Sequence, residues 1–251
     1  MGKGIWFTLA IVLLLAGSAW ARVVVVAQDA SWPPMESLGA DNEIVGFDTD
    51  FMRAVAREAG FDVEFKNVAW DKIFDGLKSG EYDAVCSSVS ITAERMKTMD
   101  FSVPYFWDSR VRQTLVVKPD SPFKDTKKLK EVKGAVLGAQ GGTTGYDLIA
   151  TTKGVTAKAY GNIESAVRDL VEGQLDGIVC DGPVAEAYVT SDRKEFSGRL
   201  RIAGVLHSGD EYYGVAVRKG NKEVLELINR GIEAVQARGV DKELRIKWLG
   251  K

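Results

Sequence analysis

The sequence predicts an α/β protein built from two similar lobes. Short apolar or β-branched runs alternate with segments of helical apolar spacing, as in mostly parallel sheets covered by helices. A nine-residue pattern at 77–85 occurs again at 170–178 with its Leu, Gly, Asp and apolar positions kept. Each copy resembles the end of a helix, a glycine stop and a short strand, so we expect two equivalent units.

The first 21 residues are typical of a secretory signal peptide. Lys3 precedes an apolar run over 5–15, and Ala19-Trp20-Ala21 forms a small-x-small cleavage site. The run is too short for a membrane-spanning helix, which needs about 20 apolar residues. Leu15-Ala16-Gly17-Ser18 lacks the cysteine of a lipid-anchored bacterial precursor. We therefore expect a soluble periplasmic protein that is secreted across the inner membrane.

The composition is that of an ordinary globular protein with nearly balanced charge. The chain has 33 Lys and Arg against 35 Asp and Glu, for a formal net charge of −2. That balance argues against nucleic acid and against an anionic membrane surface as partners. In the register of the repeat, Cys86 and Cys180 fall in different units on opposite-facing strand positions. We therefore expect them to stay unpaired, as two small buried side chains.

The first unit is predicted to alternate strands and helices. The segments in order are a strand over 23–27, a helix over 51–59, a strand over 63–65, a helix over 70–78 and a strand over 83–86. In α/β sheets, ligands bind beyond the carboxyl ends of strands. Asp29, Trp32 and the serine-rich segment 87–90 occupy such positions and mark a candidate site.

The second unit repeats this pattern. Strands are predicted over 114–117 and 135–138, and a helix from Tyr146. A strand over 214–218, a helix over 222–238 and a final turn over 243–249 close the chain. If these last segments return to the first lobe, two crossovers near 107–112 and 201–208 join the lobes. Two parallel connections form a hinge, and the cleft between the lobes is the expected ligand site.

One predicted strand-to-helix turn, residues 83–95, concentrates groups suited to a small carboxylate. Hydroxyl residues follow the strand, Thr92 is a candidate helix cap, and Arg95 comes next. Free N–H groups at a helix start and a planar guanidinium can together bind both carboxylate oxygens. A solvated loop with a surface ion pair is the alternative. The glycine-rich turn at 140–145 offers a second set of N–H groups, although a plain tight turn is the commoner meaning of such a motif.

Four motifs occur in the order and spacing of one known family: Gly46-Phe47-Asp48-Thr49-Asp50-Phe51, Ser87-Ser88-Val89-Ser90-Ile91-Thr92 followed by Arg95, Gly142-Thr143-Thr144, and Asp181-Gly182-Pro183. Over essentially its whole length the chain resembles the periplasmic amino-acid-binding proteins of ABC importers, solute-binding protein family 3, polar and basic amino-acid branch. The resemblance implies the type II periplasmic-binding-protein fold, with two mixed or parallel sheets joined by a two-strand hinge. The expected divisions are a signal peptide (1–21), a first lobe (22–109 and 209–251) and a second lobe (110–208).

The resemblance also implies roles for individual residues. Arg95 is expected to bind the α-carboxylate of a ligand, helped by N–H groups around Ser90 and Thr144. Asp181 is expected to take the α-ammonium together with serine oxygens of the first lobe. The expected ligand-binding residues are Asp29, Trp32, Trp70, Ser87, Ser88, Ser90, Arg95, Gln140, Thr143, Thr144 and Asp181.

The ligand side chain is expected to lie between two aromatic walls. Trp32 and Trp70 resemble these walls, with core packing as the alternative. Asp29 and Gln140 match family positions that face the far end of the side chain, and an Asp there favours a cationic or amide-bearing ligand. A local turn cap is the alternative for Asp29. Glu36 is a weaker second candidate, expected to be solvated.

Together these implications describe an extracytoplasmic solute-binding protein that captures a free L-amino acid by hinge closure. Arginine, lysine, ornithine, histidine and glutamine are the expected ligands, and an ABC permease is the expected partner of a monomeric protein without cofactor or metal. The chain departs from some members of the family in having Gly145 where they have a side chain and Gln140 where they have Lys. The sequence therefore does not decide which amino acid binds. The rival is an enzyme like the cyclohexadienyl dehydratases of this architecture, but the sole histidine, His207, has no nucleophile pattern around it. A sensor module of a larger receptor is a third class.

Overall fold

The computed structural model of the chain describes residues 22–107 and 111–250, so the predicted signal peptide lies outside the described residues. The strands of these ranges are β1 (Val23–Gln28), β2 (Ser31–Trp32), β3 (Glu36–Leu38), β4 (Ile44–Val45), β5 (Asp62–Asn67), β6 (Ala84–Val85), β7 (Met99–Phe101), β8 (Phe106–Trp107), β9 (Gln113–Val117), β10 (Val136–Gln140), β11 (Thr156–Tyr160), β12 (Gly177–Asp181), β13 (Arg201–Val205), β14 (Tyr212–Tyr213) and β15 (Ala216–Arg218). The α-helices are α1 (Phe47–Ala59), α2 (Trp70–Ser79), α3 (Thr144–Thr151), α4 (Ile163–Val171), α5 (Gly182–Val189), α6 (Lys222–Arg238) and α7 (Val240–Leu249).

Two five-stranded sheets form the centres of two lobes. Their strand orders are β5-β1-β6-β15-β7 and β11-β10-β12-β9-β13. In the first sheet β1 pairs parallel with β5 and β6, whereas β15 pairs antiparallel with β6 and β7. In the second, β10 pairs parallel with β11 and β12, whereas β9 pairs antiparallel with β12 and β13. Both sheets are therefore mixed, and they share one topology.

The internal repeat places the same aspartate at the same position of each sheet. Asp83 Oδ2 accepts a hydrogen bond from the N–H of Val25 at 2.9 Å, and the Asp83 N–H donates to the carbonyl of Val25. Asp176 makes the same pair of bonds to Val136, with its Oδ2 accepting at 2.8 Å. In each repeat the aspartate thus holds the start of one strand against its parallel neighbour. As a result, the polar residues that follow these strands lie at equivalent places in the two sheets.

Helices cover both faces of the first sheet, as the β-branched run of β1 predicts. Val24 and Val26 pack in the core that contains α1 and α6, while Val25 and Ala27 pack on the opposite face with α2. Helix α1 begins at Phe47, four residues before the predicted start. Its first turn holds Asp48 and Asp50, and acidic residues favour a helix N-terminus.

The two lobes are joined by a two-stranded hinge. Strand β8 pairs antiparallel with β14, so that Phe106 faces Tyr213 and Trp107 faces Tyr212. The chain enters the second sheet after β8 and returns from it before β14, which makes residues 206–211 the second connection. The hinge therefore lies beside the ends of both central sheets, where the cleft between the lobes begins.

Both cysteines are buried and unpaired, as expected from the repeat register. Burial raises the pKa of each thiol well above its usual range, because the charged thiolate would be desolvated. Across 22–107 and 111–250, no helix is long and apolar enough to cross a membrane.

Candidate functional site

A pocket lies between the lobes, and the empty space inside it, including space open to solvent, is about 330 Å³. All eleven residues expected to bind a ligand line it, and Glu36 is the twelfth lining residue. Seven of the eleven come from the first lobe: they follow β1 and β6, or lie in β2, at the start of α2 and at the turn that begins with Arg95. Four come from the second lobe, at the ends of β10 and β12 and the start of α3. The shared topology of the two sheets explains why these groups converge.

Arg95 connects the two lobes across the cavity. Its Nη1 donates to the carbonyl of Ser90 at 2.9 Å, and its Nη2 donates to the carbonyl of Gly142 in the second lobe at 3.1 Å. The guanidinium also lies 5.5 Å from the ring centre of Trp70, a cation–π arrangement. Burial lowers the pKa of Arg95, and the nearby Asp181 opposes that shift. The guanidinium is therefore fixed and charged in the wall of the cavity.

The helix that was predicted to start near Thr92 does not form. The chain makes a single 3₁₀ turn there, Arg95–Lys97. The predicted cap residue does act locally, since Thr92 Oγ1 accepts a hydrogen bond from the Arg95 N–H at 3.1 Å. So short a turn supplies few free N–H groups, which leaves the guanidinium as the main group of this segment that could bind an anion.

The second lobe presents the start of α3 to the same region. This helix begins at Thr144, two residues before the predicted start. Thr143 caps it by accepting a hydrogen bond from the Tyr146 N–H at 3.2 Å, and donates from its hydroxyl to the carbonyl of Gln140 at 2.7 Å. These bonds hold the glycine-rich turn against the end of β10.

Asp181 ends β12 and lies almost completely buried in the cavity wall. Its Oδ1 accepts a hydrogen bond from Gln113 Nε2 at 2.5 Å, and its Oδ2 accepts one from the Tyr213 hydroxyl. Burial and the nearby carboxylate of Glu211 raise its pKa to about 7, although Tyr213, Gln113 and Arg95 favour the charged form. A cationic partner would lower that pKa and keep the carboxylate ionised.

Asp29 and Gln140 meet across the cleft in the cavity wall. Gln140 Nε2 donates to Asp29 Oδ2 at 2.8 Å. The Ser31 hydroxyl donates to the other oxygen, Oδ1, at 2.8 Å, so the turn-cap alternative for Asp29 is also realised. Burial raises the pKa of Asp29, while the hydrogen bonds from Gln140 and Ser31 oppose that rise. The carboxylate faces both the cavity and its own turn.

Glu36 is completely buried, so the expectation that it is solvated was wrong. Its position on β3, opposite Trp32 of β2, turns it beneath the cavity. There its Oε1 accepts a hydrogen bond from the Ser87 hydroxyl at 2.7 Å. The sequence around Glu36 resembles a loop, and it does not reveal the small three-stranded sheet β2-β3-β4 that buries this side chain.

Three supporting residues escaped the sequence analysis: Gln113, Glu211 and Tyr213. Glu211 precedes β14 and accepts hydrogen bonds from the hydroxyls of Ser90 (2.8 Å) and Thr144 (2.9 Å) and from Gln113 Nε2 (2.9 Å). It therefore joins both lobes from the hinge. Gln113, Glu211 and Tyr213 all lie beside the two predicted crossovers, and that position in the sequence could have marked them as candidates. No group of His, Cys, Asp and Glu in the described ranges is arranged to hold a metal ion.

The fold and the cavity define a class: a two-lobed protein with a polar cavity at its hinge. Comparisons with known proteins agree. Residues 24–251 match the model of the bacterial extracellular solute-binding proteins, family 3. The chain belongs to this family.

Individual relatives cover nearly the whole chain. It is 32% identical over 238 residues to the ABC transporter arginine-binding protein 1 of Escherichia coli K12, covering 93% of each chain. An ancestral arginine-binding protein solved with arginine is 36% identical, with a TM-score of 0.81 over 91% of this chain and 99% of the other. An arginine-, lysine-, histidine-binding protein of Geobacillus stearothermophilus is 33% identical, with a TM-score of 0.80 over 92% and 96%.

Proposed function

We propose that this protein captures a free cationic L-amino acid between its lobes and delivers it to an ABC permease. Arg95 binds the α-carboxylate and Asp181 binds the α-ammonium. Asp29 then faces the charged end of the side chain, and Trp32 and Trp70 flank its apolar part. The single observation that supports this assignment is the cavity itself, where one guanidinium and one carboxylate come from opposite lobes.

The charges around the cavity favour a ligand with a net positive charge. The carboxylates of Asp29 and Asp181 line it, against the one guanidinium of Arg95. A zwitterion uses Arg95 and Asp181, which leaves Asp29 for a third charged group. Arginine, lysine, ornithine and histidine supply that group, and glutamine supplies an amide donor. The names of the relatives, arginine-binding and arginine-, lysine-, histidine-binding, support the same class.

Capture follows from closure of the hinge. A ligand that bonds to both lobes stabilises the closed arrangement by its differential affinity for the two states. Ser87, Ser88 and Ser90 act from the first lobe, and Thr143 and Thr144 from the second. We expect a dissociation constant of about a micromolar or below.

Several further properties belong to this proposal. The lobes comprise 22–109 with 209–251, and 110–208, after removal of a signal peptide at 1–21. The protein acts as a monomer in the periplasm, and its partner is a membrane permease. It binds without catalysing a reaction, and the relatives named above are binding proteins.

The experiment is a thermal-shift screen of the ligand-free protein against the twenty amino acids, ornithine and citrulline, followed by calorimetry. Cationic amino acids should raise the melting temperature most, because a ligand that binds only the folded state stabilises it. Shifts with acidic or aliphatic amino acids alone would contradict the role of Asp29. Turnover of prephenate or arogenate would contradict the binding function.

Substitution of Asp29 refines the test. Asp29→Asn should weaken arginine binding about ten- to hundredfold, because a hydrogen bond to a charged group is lost, and should weaken glutamine binding much less. The exposed Asp41 nearby provides the control Asp41→Asn. Equal losses of affinity for arginine and glutamine would show that Asp29 does not distinguish a charged ligand side chain from an uncharged one.

A further inference from the structure

The first-lobe half of the cavity rests on two buried carboxyl groups, Glu36 of β3 and Asp48 of α1. Both side chains are completely buried, and the two carboxyl groups lie within hydrogen-bonding reach of each other. Within 22–107 and 111–250, no N–H or O–H group of another residue donates a hydrogen bond to Glu36 Oε2 or Asp48 Oδ1. Two neighbouring carboxyl groups that are buried away from water, each with an oxygen that receives no donor, need a proton between them.

The remaining two oxygens of the pair are already satisfied. Asp48 Oδ2 accepts from the Ser88 N–H at 2.6 Å, the Ser88 hydroxyl at 3.1 Å and the Tyr105 hydroxyl at 2.8 Å. Glu36 Oε1 accepts one hydrogen bond from the described part of the chain, that of the Ser87 hydroxyl. Three donors stabilise a charged carboxylate at Asp48, so the proton belongs on Glu36.

We propose that Glu36 is a neutral carboxylic acid that donates its proton to Asp48, and that this acid pair positions Ser87 and Ser88 in the ligand site. Burial and the negative charge of Asp48 raise the pKa of Glu36 well above its usual range. The other titratable groups that act on the pair are Asp29, Cys86 and Tyr105, and none of them is a cation. The proton therefore takes the place of a counter-ion.

The shared proton completes one continuous chain of hydrogen bonds. The Asp29 N–H donates to Ser87 Oγ at 3.0 Å, Ser87 donates to Glu36, and Glu36 donates to Asp48. Asp48 in turn holds Ser88, whose φ of 49° lies in the left-handed region that non-glycine residues rarely adopt. Loss of the proton would place two negative charges side by side beneath both serines. The pair is thus a positioning device for the ammonium end of the site.

The test is the pH dependence of thermal unfolding without ligand, comparing wild type, Glu36→Gln and the exposed control Glu43→Gln. The pKa of Glu36 is higher in the folded state than when unfolded, so its contribution to stability is complete below about pH 4.5 and declines as the pH rises towards the folded value. The amide introduced by Glu36→Gln keeps a donor for Asp48 but cannot ionise. Glu36→Gln should therefore remove part of the decline, and Glu43→Gln should keep it. Identical pH profiles for the two variants would overturn the proposal.

Infrared spectroscopy gives a second readout of the proton. Wild type at pH 7 should show the carbonyl stretch of a protonated carboxylic acid that is reduced in Glu36→Gln and kept in Glu43→Gln. Equal intensity in all three proteins would overturn the assignment of the proton to Glu36. Neither measurement contains a ligand, so they stand apart from the proposed function.

Calorimetry with L-arginine tests whether the Glu36–Asp48 pair positions the serines. This measurement rests on the proposed function. Glu36→Ala and Asp48→Asn should each weaken binding about ten- to hundredfold, because they leave buried polar groups unpaired. Glu36→Gln should recover most of the loss of Glu36→Ala. If Glu36→Gln and Glu36→Ala bind equally, the proton-donating contact does not position the serines.

Discussion

At the scale of single residues, Arg95 is the residue from which the proposed function expects the binding of an anion. Its two terminal nitrogens donate to carbonyl oxygens of opposite lobes, so the guanidinium is held in one plane. A carboxylate of a ligand would exchange weaker neutral acceptors for charged ones. The geometry thus favours an anionic partner over the carbonyls that surround it.

Arg95→Ala should abolish most of the binding. By analogy with truncating one member of a buried charge pair, we expect a loss of about 2–5 kcal/mol in binding free energy. Calorimetry with the best ligand of the screen measures it. Arg57, exposed on α1, supplies the control Arg57→Ala. Unchanged affinity in Arg95→Ala would refute the assignment of the carboxylate.

Asp181 should make the ligand-free protein less stable as the pH rises from about 4 to about 7. Its pKa is raised from 3.8 to about 7 in the folded state, so the folded state holds its proton more tightly than the unfolded state does. The resulting stability is complete below pH 3.8 and is lost as the pH approaches 7. Asp181→Asn should flatten this part of the unfolding profile. A slope identical to that of wild type would contradict an elevated pKa.

At the scale of elements, the start of α3 depends on a close approach at Gly145. A Cβ there would lie 2.6 Å from Gln113 Oε1 and 3.1 Å from the carbonyl oxygen of Val179. Gln113 in turn donates to Asp181. The absence of a side chain at Gly145 therefore makes room for Gln113, which bonds to Asp181.

Gly145→Ala should destabilise the protein by about 1–3 kcal/mol, as expected for overpacking, and should weaken ligand binding through Gln113. Denaturant unfolding and calorimetry measure the two effects. Gly161→Ala is a matched control, because a Cβ at Gly161 would meet no atom within 4 Å. Similar stability of the two variants would show that α3 shifts freely away from Gln113.

Elements with strong local signals could be predicted from the sequence, and others could not. The bounds of α6 were predicted to the residue, since Asn221 caps its start and Gly239 ends it. The predicted strand over 83–86 is only Ala84–Val85, because strand pairing on both sides sets its length. The 3₁₀ turn at Arg95 could not be predicted either, because its side chain bonds to the distant Gly142.

The residues of the candidate site also fall into those that could be predicted from the sequence and those that could not. Residues at strand ends were predictable, since parallel sheets gather ligands there. Glu36 and Glu211 were not, because an acid in a short irregular segment looks the same whether it is solvated or enclosed. Only the pairing of β2 with β3 and of β14 with β8 turns these acids inward.

At the scale of the whole molecule, Glu211 holds the lobes together independently of any ligand. It bonds to Ser90 in the first lobe and to Thr144 in the second. Glu211→Ala should therefore populate a more open form, with a larger radius of gyration in small-angle scattering that ligand reverses. Apparent affinities should fall about tenfold for every ligand alike, because a smaller share of molecules is competent to bind.

The exposed Glu226 of α6 provides the control Glu226→Ala. Because Glu211 does not line the cavity, a loss confined to one ligand would contradict its action on closure. A scattering profile identical to that of wild type would contradict it equally.

If the ligand binds as proposed, the hydrogen bond between Gln140 and Asp29 would make affinity depend on the length of the ligand side chain. With the amino-acid backbone anchored between Arg95 and Asp181, only a side chain that reaches Asp29 can replace the amide of Gln140 there. A shorter chain leaves the two residues bonded to each other and gains nothing from that end. Selection among cationic ligands then becomes a matter of reach, graded by the number of methylene groups between the backbone and the charge.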